Sequence, residues 1–492
     1  MAFYISARCP ECGAPARHPE GALTFKCPFC ASVLRVKDEG TFLKYIIPAR
    51  VSPAEAPLAV KRAMQAGKVG GLRTVRRIIT FHKPFWYCKG MLFFAFADER
   101  MDVSSAPLTT DENNPPPQHA FTNAIRAAAR AADVIAKTWS HTFAANPALA
   151  VPLRTLGIQA EVLTLEPYDS EQYKETLVAP ITLDRAAAEK MAMDAALNNM
   201  NMDRKRYSYS SLNFIGEKYF IIYYPVLAAI CEGDGGFITV LLDGINKNFI
   251  AATPGKEIID ETGAWEHAAA RFSIITHRCP NCGHDLEPGG FDIVFYCRSC
   301  FSLWLLEGGD YRRLPKKALK STLAQGTVYI PFWRFTLELD NSVSGERFST
   351  VGELAKLVKG GDLYLRGIPP ENPIVFHLPA LTTSNATAAL KLAARICGAQ
   401  KEMPFDDVEE FPHATFQGAS LPLDEARQML PVVAFSVIGR TDRKTVDFYN
   451  SMTVRDTSAD LVWYPFEEKG TMLIDQFLGF NISKRGMSAE VY

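Results

Sequence analysis

Two widely separated sets of four cysteines constrain this chain more than any other feature. They are Cys9, Cys12, Cys27 and Cys30, and then Cys279, Cys282, Cys297 and Cys300. In each set two CxxC pairs enclose an interval of the same length, residues 13–26 and 283–296. A CxxC pair places two thiolates on one tight turn, and a second pair completes the four tetrahedral ligands that zinc prefers. The pattern therefore predicts two zinc ions per chain.

Other interpretations of the cysteines fit less well. A rubredoxin-type iron site also uses four cysteines, but its pairs usually lie further apart. Disulfides need an oxidising compartment, and nothing in the sequence indicates one. His18 and His284 lie inside the two sets, but each set is complete without them, so we expect both to be exposed polar residues. Because no coordination position stays open, the predicted role of the metal is structural.

The length and composition are those of an ordinary soluble globular protein. The chain has 492 residues, 48% of them hydrophobic, and a net charge of −1. This charge gives no general attraction to nucleic acid or anionic lipid. The N-terminus lacks the apolar core of a signal peptide, and the longest uncharged apolar run, residues 219–231, is too short to span a bilayer. We therefore expect a cytoplasmic protein, with that run forming a buried strand.

Further landmarks recur along the chain in the same order. The triplet Pro84-Phe85-Trp86 matches Pro331-Phe332-Trp333. Asp184 matches Asp424, and each is predicted to open a helix. Pro225 matches Pro465. Ordered landmarks at nearly constant separation indicate an internal duplication. Since proline removes a ladder hydrogen bond, we expect these prolines at strand starts or on edge strands. The neighbouring aromatic residues are predicted to pack in the core.

The duplication predicts an α+β fold in which a zinc ribbon is followed, twice, by a mixed and mainly antiparallel sheet domain with helices. The predicted units are ribbon 1 (1–38), domain 1 (39–268), ribbon 2 (269–308) and domain 2 (309–492). The polar segment 257–266 marks the boundary between the halves.

Two helices have clear signals in the first half. Ser52, Pro53 and Glu55 form the start of a capped helix that runs to about residue 65. From His119 to Ala145, apolar residues recur at three- and four-residue steps, which predicts a second helix. Its apolar stripe either packs on its own domain or faces a partner.

The CPxC and CxxC pairs resemble the zinc ribbons of transcription factors, ribosomal proteins and the replication-restart helicase. The whole order of landmarks, from the cysteines through Pro-Phe-Trp and the Leu-Asp helix to Trp-Tyr-Pro-Phe, resembles tandem zinc-ribbon proteins predicted from bacterial genomes. The resemblance implies this organisation and a bacterial origin. It carries over no activity and no catalytic residue.

The sequence contains no recognisable catalytic signature, which predicts a protein that is not an enzyme. Gly233–Gly236 is predicted to form a hairpin turn, and the acidic cluster at 406–410 a solvated loop. His82 and Cys88 flank Trp86, but the second half lacks this pair. Cys88, Cys231 and Cys397 stand singly in apolar surroundings, where core packing is expected.

Two hypotheses for function remain. The favoured one is an adaptor or scaffold that docks onto a larger macromolecular assembly through its ribbons and the 119–145 helix. Phe29 and Phe301 are either exposed contact residues there or packed on their own ribbons. The alternative is a nucleic-acid-binding protein, because basic residues interleaved with aromatics suit phosphate contact and base stacking. The basic clusters are Arg73, Arg76, Arg77 and Lys83; Arg204, Lys205 and Arg206; and Arg312, Arg313, Lys316, Lys317 and Lys320.

Overall fold

A computed structural model describes residues 4–19, 21–38, 43–97, 132–156, 164–169, 173, 176–200, 207–255, 272–322, 326–361, 365–383, 385–411 and 415–484. The predicted α+β class, with parallel and antiparallel pairing in the same sheets, is confirmed.

The described residues of the first half form twelve strands and two α-helices. They are β1 (Tyr4–Arg8), β2 (Pro15–Pro19), β3 (Thr24–Lys26), β4 (Val33–Asp38), β5 (Leu43–Ile46), α1 (Ala56–Gln65), β6 (Leu72–Ala97), β7 (Ala132–Ala144), β8 (Thr164–Pro167), β9 (Leu177–Val178), α2 (Arg185–Met200), β10 (Tyr209–Gly233), β11 (Gly236–Asp243) and β12 (Phe249–Pro254).

The described residues of the second half form thirteen strands and four α-helices. Its elements are β13 (Phe272–Thr276), β14 (Val294–Tyr296), β15 (Leu303–Glu307), β16 (Asp310–Leu314), β17 (Lys317–Ala318), β18 (Thr327–Asn341), β19 (Arg347–Phe348), α3 (Val351–Leu357), β20 (Ile374–Pro379), α4 (Ala386–Ala399), β21 (Asp406–Asp407), β22 (Thr415–Phe416), α5 (Leu423–Ile438), α6 (Arg443–Ser451), β23 (Met452–Lys469), β24 (Met472–Asp475) and β25 (Asn481–Ser483).

A pair of long antiparallel strands forms the centre of each domain, β6 with β10 and β18 with β23. The register of the two pairs is the same: Pro84 lies opposite Tyr223, and Pro331 lies opposite Trp463. Pro225 in β10 and Pro465 in β23 are also at equivalent positions, since they lie opposite residues 82 and 329. The residue pairing therefore supports the internal duplication.

These prolines lie in strand interiors, so the prediction of strand starts or edge strands is wrong. β6, for example, pairs with parallel β9 through residue 82 and with antiparallel β7 from residue 85 onward. Pro84 lies in the gap between these two ladders, where the missing N–H is tolerated. Its carbonyl accepts a hydrogen bond from the N–H of Ala145, and the carbonyl of Pro331 accepts one from Ala380 in the same way.

The helices α2 and α5 are counterparts, but the match differs from the predicted one. The N–H groups of residues 182 and 183 donate to the carbonyl of Ala145, and those of 420 and 421 donate to Ala380. Asp184, which caps α2 by accepting from the N–H of Ala187 at 2.8 Å, therefore corresponds to Pro422 at the start of α5. The expected match of Asp184 with Asp424 is wrong by two residues.

Residues 132–144 form strand β7, so the predicted helix from His119 to Ala145 is wrong over this part; residues 119–131 lie outside the described residues. β7 pairs with β6 along its whole length. Its side chains alternate between faces: Val134 and Ala136 contact one apolar core, while Trp139 and Phe143 contact another. β-branched and aromatic residues suit such a strand.

The predicted capped helix at Ser52 is confirmed. Ser52 precedes a short 3-10 turn, Pro53–Glu55, which continues into α1, and the backbone N–H of Ser52 donates to the carboxylate of Glu55 at 3.1 Å. The apolar run 219–231 lies within β10, as predicted.

The two ribbons form one connected unit. Ribbon 2 has a three-stranded sheet, β14-β15-β16, and its third strand, Asp310–Leu314, lies just beyond the predicted end of the ribbon at residue 308. In ribbon 1 the third position is taken by β13, which pairs with β4 although it directly precedes the cysteines of ribbon 2. Strand β1 pairs in turn with β8 of domain 1. The ribbons are thus attached to each other and to the sheet of the first half.

The largest apolar core spans both halves of the chain. Met91 and Phe93 of β6 belong to the same cluster as Phe435 of α5. Tyr209 of β10 stacks on Phe435, with ring centroids 5.3 Å apart. Burial of aromatic side chains is a large stabilising term, so this shared core holds the two halves together.

Candidate metal centres

The eight predicted ligands lie in two compact clusters. Within each set of four cysteines all the Sγ atoms lie within 4.8 Å of one another. The Sγ atoms of Cys9 and Cys30 are 3.7 Å apart, and those of Cys279 and Cys300 are 3.6 Å apart. All eleven cysteines of the chain are in the described part, and none forms a disulfide.

These distances fit a tetrahedral tetrathiolate site. A zinc ion bound to four sulfurs at about 2.3 Å gives sulfur–sulfur separations of roughly 3.8 Å. A disulfide bond would need about 2.05 Å. The donor set and its geometry therefore suit one metal ion in each ribbon, and four sulfur donors are typical of zinc or iron. With four protein ligands, an ion in either site would have no position left for a substrate.

Tight turns at the CxxC pairs position the sulfurs. The N–H of Gly13 donates to the carbonyl of Cys9, and the N–H of Gly283 donates to that of Cys279. Both glycines have left-handed backbone conformations, with φ of 72° and 76°, which glycine adopts without strain. Phe301 ends the second turn of ribbon 2 in the same conformation, with φ of 57°. A bulky residue is uncommon there.

One of the two histidines within the ribbons differs from expectation. His284 is exposed, as predicted. His18 is buried, so that part of the prediction is wrong: its ring stacks on Phe25, with centroids 4.4 Å apart, and burial lowers its pKa to about 4. His277, which the sequence did not single out, is fully buried between Phe295 and Tyr311. No pattern of neighbouring residues marked it.

The two aromatic residues at the second turns are exposed. Phe29 lies between two ligands of ribbon 1 and is 65% exposed; Phe301 follows the last ligand of ribbon 2 and is 43% exposed. Of the two interpretations that the sequence left open, the structure favours exposed residues at both positions. Each ribbon therefore presents an apolar ring to solvent next to its metal site.

Ribbon 2 is docked on domain 2 through a close backbone contact. The N–H groups of Ile293 and Val294 both donate to the carbonyl of Ala419, at 2.6 and 3.2 Å. Asp292 lies against Gly418 there, and burial raises the pKa of its carboxyl to about 8. Ribbon 1 uses its equivalent N–H groups differently: those of residues 23 and 24 donate to Gly290 of ribbon 2.

Most of the described basic clusters are balanced by acidic partners. Arg73 is 2.8 Å from Asp234, and Arg76 pairs with Glu232. In the cluster after ribbon 2 the paired residues are Arg312 with Glu307, Lys317 with Asp460, and Lys320 with Asp406. Residues 204–206 lie outside the described part of the chain. Such pairing reduces the positive field that a phosphate backbone would meet.

The acidic cluster and the glycine-rich segment also have defined structures. Asp406 and Asp407 form the short exposed strand β21, which pairs with β17, so the prediction of a loop is wrong for these two residues. The predicted hairpin turn is confirmed, since β10 ends at Gly233 and β11 begins at Gly236.

The single cysteines are buried, as predicted: Cys88, Cys231 and Cys397 are all in the core. The Nε2 atom of His82 lies 3.2 Å from the carbonyl of Ile47, and the thiol of Cys88 lies 3.5 Å from that of His141. Among the described residues, each thus has a backbone carbonyl as its neighbour, and no hydrogen bond joins His82 to Cys88. Burial raises the pKa of the Cys88 thiol to about 12, which opposes formation of a nucleophilic thiolate.

Comparisons of this chain with protein-family models, with curated proteins and with solved structures found no match. The resemblance to tandem zinc-ribbon proteins of bacteria therefore stays a prediction. Among the described residues, no helix is long and apolar enough to cross a membrane.

Proposed function

We propose that this chain is a zinc-dependent, non-enzymatic docking protein whose ribbons present apolar side chains to protein partners within a larger assembly. The observation that carries the proposal is the exposure of Phe29 and Phe301 beside two closed tetracysteine sites. The proposed compartment is a reducing cytoplasm, in which free thiols persist.

The closed sites favour a structural role for the metal. A ribbon of this size has too small a core to fold without help, and a bound zinc ion supplies folding free energy. The ion would thus hold a rigid turn on which an exposed aromatic ring is displayed. Burying such a ring against a partner contributes about 1.5–3 kcal/mol. Two ribbons on one chain also allow avidity, provided that both reach their targets together.

The experiment is capture of partners from the native cell with a tagged full-length chain. The variants Phe29→Ser and Phe301→Ser should each reduce recovery of the same partner, because each removes exposed apolar surface. Val343→Ser is the matched control, since Val343 is 86% exposed in a turn of domain 2. Equal recovery by all three variants and the unchanged chain would contradict the proposal.

Nucleic-acid binding is the competing outcome. Binding through lysine and arginine clusters weakens steeply as salt rises, because counterions are released. We expect no tight binding to DNA or RNA near physiological salt. Submicromolar, salt-sensitive binding that falls when Arg204, Lys205 and Arg206 are replaced by alanine would establish the alternative instead.

A further inference from the structure

The two tetracysteine sites differ in how far their ligands are exposed. In ribbon 1 the ligands Cys12 and Cys30 are exposed, whereas their counterparts Cys282 and Cys300 in ribbon 2 are only half-exposed. The first cysteine of each CxxC pair is buried in both ribbons. Cys12 and Cys30 are the only exposed cysteines of the eleven, all of which the structure describes.

The hydrogen bonds around the sulfurs differ as well. In ribbon 2 the hydroxyl of Ser302, which is buried, lies 2.9 Å from Sγ of Cys300 and 3.6 Å from Sγ of Cys279. The indole N–H of Trp304 donates to the same hydroxyl oxygen at 2.7 Å. This leaves the hydroxyl hydrogen free to point at a thiolate. A hydrogen bond of this kind withdraws charge from the sulfur and makes it a weaker nucleophile.

Ribbon 1 lacks most of this protection. Its equivalent serine, Ser32, is half-exposed and lies 3.3 Å from Sγ of Cys30. The position of Trp304 is taken by Leu34, whose side chain has no N–H to hold the serine hydroxyl in place. In addition, Trp304 packs with Cys282 and Cys300 in one apolar cluster, while the apolar cluster of ribbon 1 includes Cys9 and Cys27 but not its two exposed ligands.

We propose that Cys12 and Cys30 are a modification site for alkylating electrophiles, and that modification there releases the metal ion of ribbon 1 while ribbon 2 retains its ion. Thiolate character and exposure together determine which cysteines react. The ligands of both sites would be thiolates with metal bound, and those of ribbon 1 are the more exposed. The inference rests on the metal occupancy proposed above, but not on the docking of any partner.

The reaction is a simple displacement. With iodoacetamide as the electrophile, a lone pair on Sγ of Cys30 attacks the methylene carbon, a sulfur–carbon bond forms, and the carbon–iodine bond breaks with iodide as the leaving group. The product is a neutral thioether, which binds a divalent ion far more weakly than a thiolate does. The three remaining thiolates then compete with a chelator in solution, and the ion leaves.

The test uses the full-length protein loaded with two zinc ions, iodoacetamide as the probe and a chromogenic zinc chelator as the reporter. Mass spectrometry of peptides identifies the modified cysteines at each time. We expect two phases of zinc release, the first at least about tenfold faster than the second. Peptides containing Cys12 or Cys30 should be modified in the first phase, and those containing Cys282 or Cys300 only in the second.

Variants of ribbon 2 make the expectation specific. Ser302→Ala and Trp304→Leu should each accelerate the second phase, the latter by giving ribbon 2 the residue that ribbon 1 has. Ser32→Ala is the matched control and should leave the second phase unchanged. Equal release from both ribbons, or earlier modification of ribbon 2, would overturn the inference without affecting the docking function, because partner capture is measured separately.

Discussion

Lys83 lies opposite Tyr224 at the centre of the first sheet, in the place where Ile330 lies opposite Tyr464 in the second. The lysine is buried, and its ammonium donates a hydrogen bond to the carbonyl of Val151 at 2.7 Å. Burial lowers its pKa from 10.5 to about 8. The duplicated position thus holds a charge in one half and an apolar side chain in the other.

This difference predicts a pH-dependent effect of Lys83→Met. The pKa is lower in the folded state than in the unfolded state, so the penalty for burying the charge is fully present below pH 8. It disappears as the pH rises toward 10.5. Lys83→Met should therefore raise the free energy of unfolding, relative to the unchanged protein, by more at pH 7 than at pH 10. Urea denaturation at the two pH values measures it.

Lys61→Met, at an exposed position of α1, is the control for the loss of a lysine as such. It should shift the free energy of unfolding equally at both pH values. If the effect of Lys83→Met on the free energy of unfolding were equally independent of pH, the buried charge of Lys83 would not be what destabilises the folded protein.

Trp86 and Trp333 lie two residues after Pro84 and Pro331, and their replacement should destabilise the protein equally in the two halves. The indole N–H of Trp86 donates to the carbonyl of Leu183 at 3.0 Å, and that of Trp333 donates to Leu421 at 2.9 Å. Replacing either tryptophan by phenylalanine leaves a carbonyl without this donor, which costs about 1–3 kcal/mol. Denaturant unfolding should show a similar loss for both variants. A large loss in one half and none in the other would contradict their equivalence.

Gly418 is predicted to be essential for the docking of ribbon 2. A Cβ atom at this position would lie within 3.0 Å of the carboxylate of Asp292 and the carbonyl of Val294. Gly418→Ala should therefore destabilise the protein by about 1–3 kcal/mol and increase amide hydrogen exchange in β14. Gly398→Ala in α4 is the matched control, because a Cβ there meets nothing within 4 Å. An equally mild effect of both changes would show that ribbon 2 is held elsewhere.

The pairing of β13 with β4 predicts an effect across the chain. Cys9→Ser removes a ligand of ribbon 1, so hydrogen exchange should accelerate in β3 and β4 and also in β13, which lies far away in the sequence. Protection of β14 to β16 should persist. The equivalent change, Cys279→Ser, should instead expose β14 to β16. Retained protection of β13 in Cys9→Ser would mean that the strand is held by ribbon 2 alone.

The features that the sequence predicted well are those with local causes. Four cysteines at fixed spacing, the cap at Ser52 and the glycine turn at 233–236 depend on residues close together in the chain. The repeated Pro-Phe-Trp segments were also recognisable, because the same core position demands the same residues in both sheets.

The features that it missed depend on distant partners. Residues 132–144 have a spacing that suits a helix, but pairing with β6 makes them a strand. Pro84 is tolerated inside a strand only because two other strands meet beside it. The pairing of β13 with β4 of ribbon 1 likewise has no local signal, since it depends on how the two ribbons pack together.

The central claim is that two closed metal sites organise this chain, and metal content tests it most directly. Elemental analysis should be made on protein purified without added metal. Each ribbon brings four sulfurs within 4.8 Å of one another, so the account predicts two zinc ions per chain. One zinc ion or none, or stoichiometric iron with a visible thiolate charge-transfer band, would contradict it.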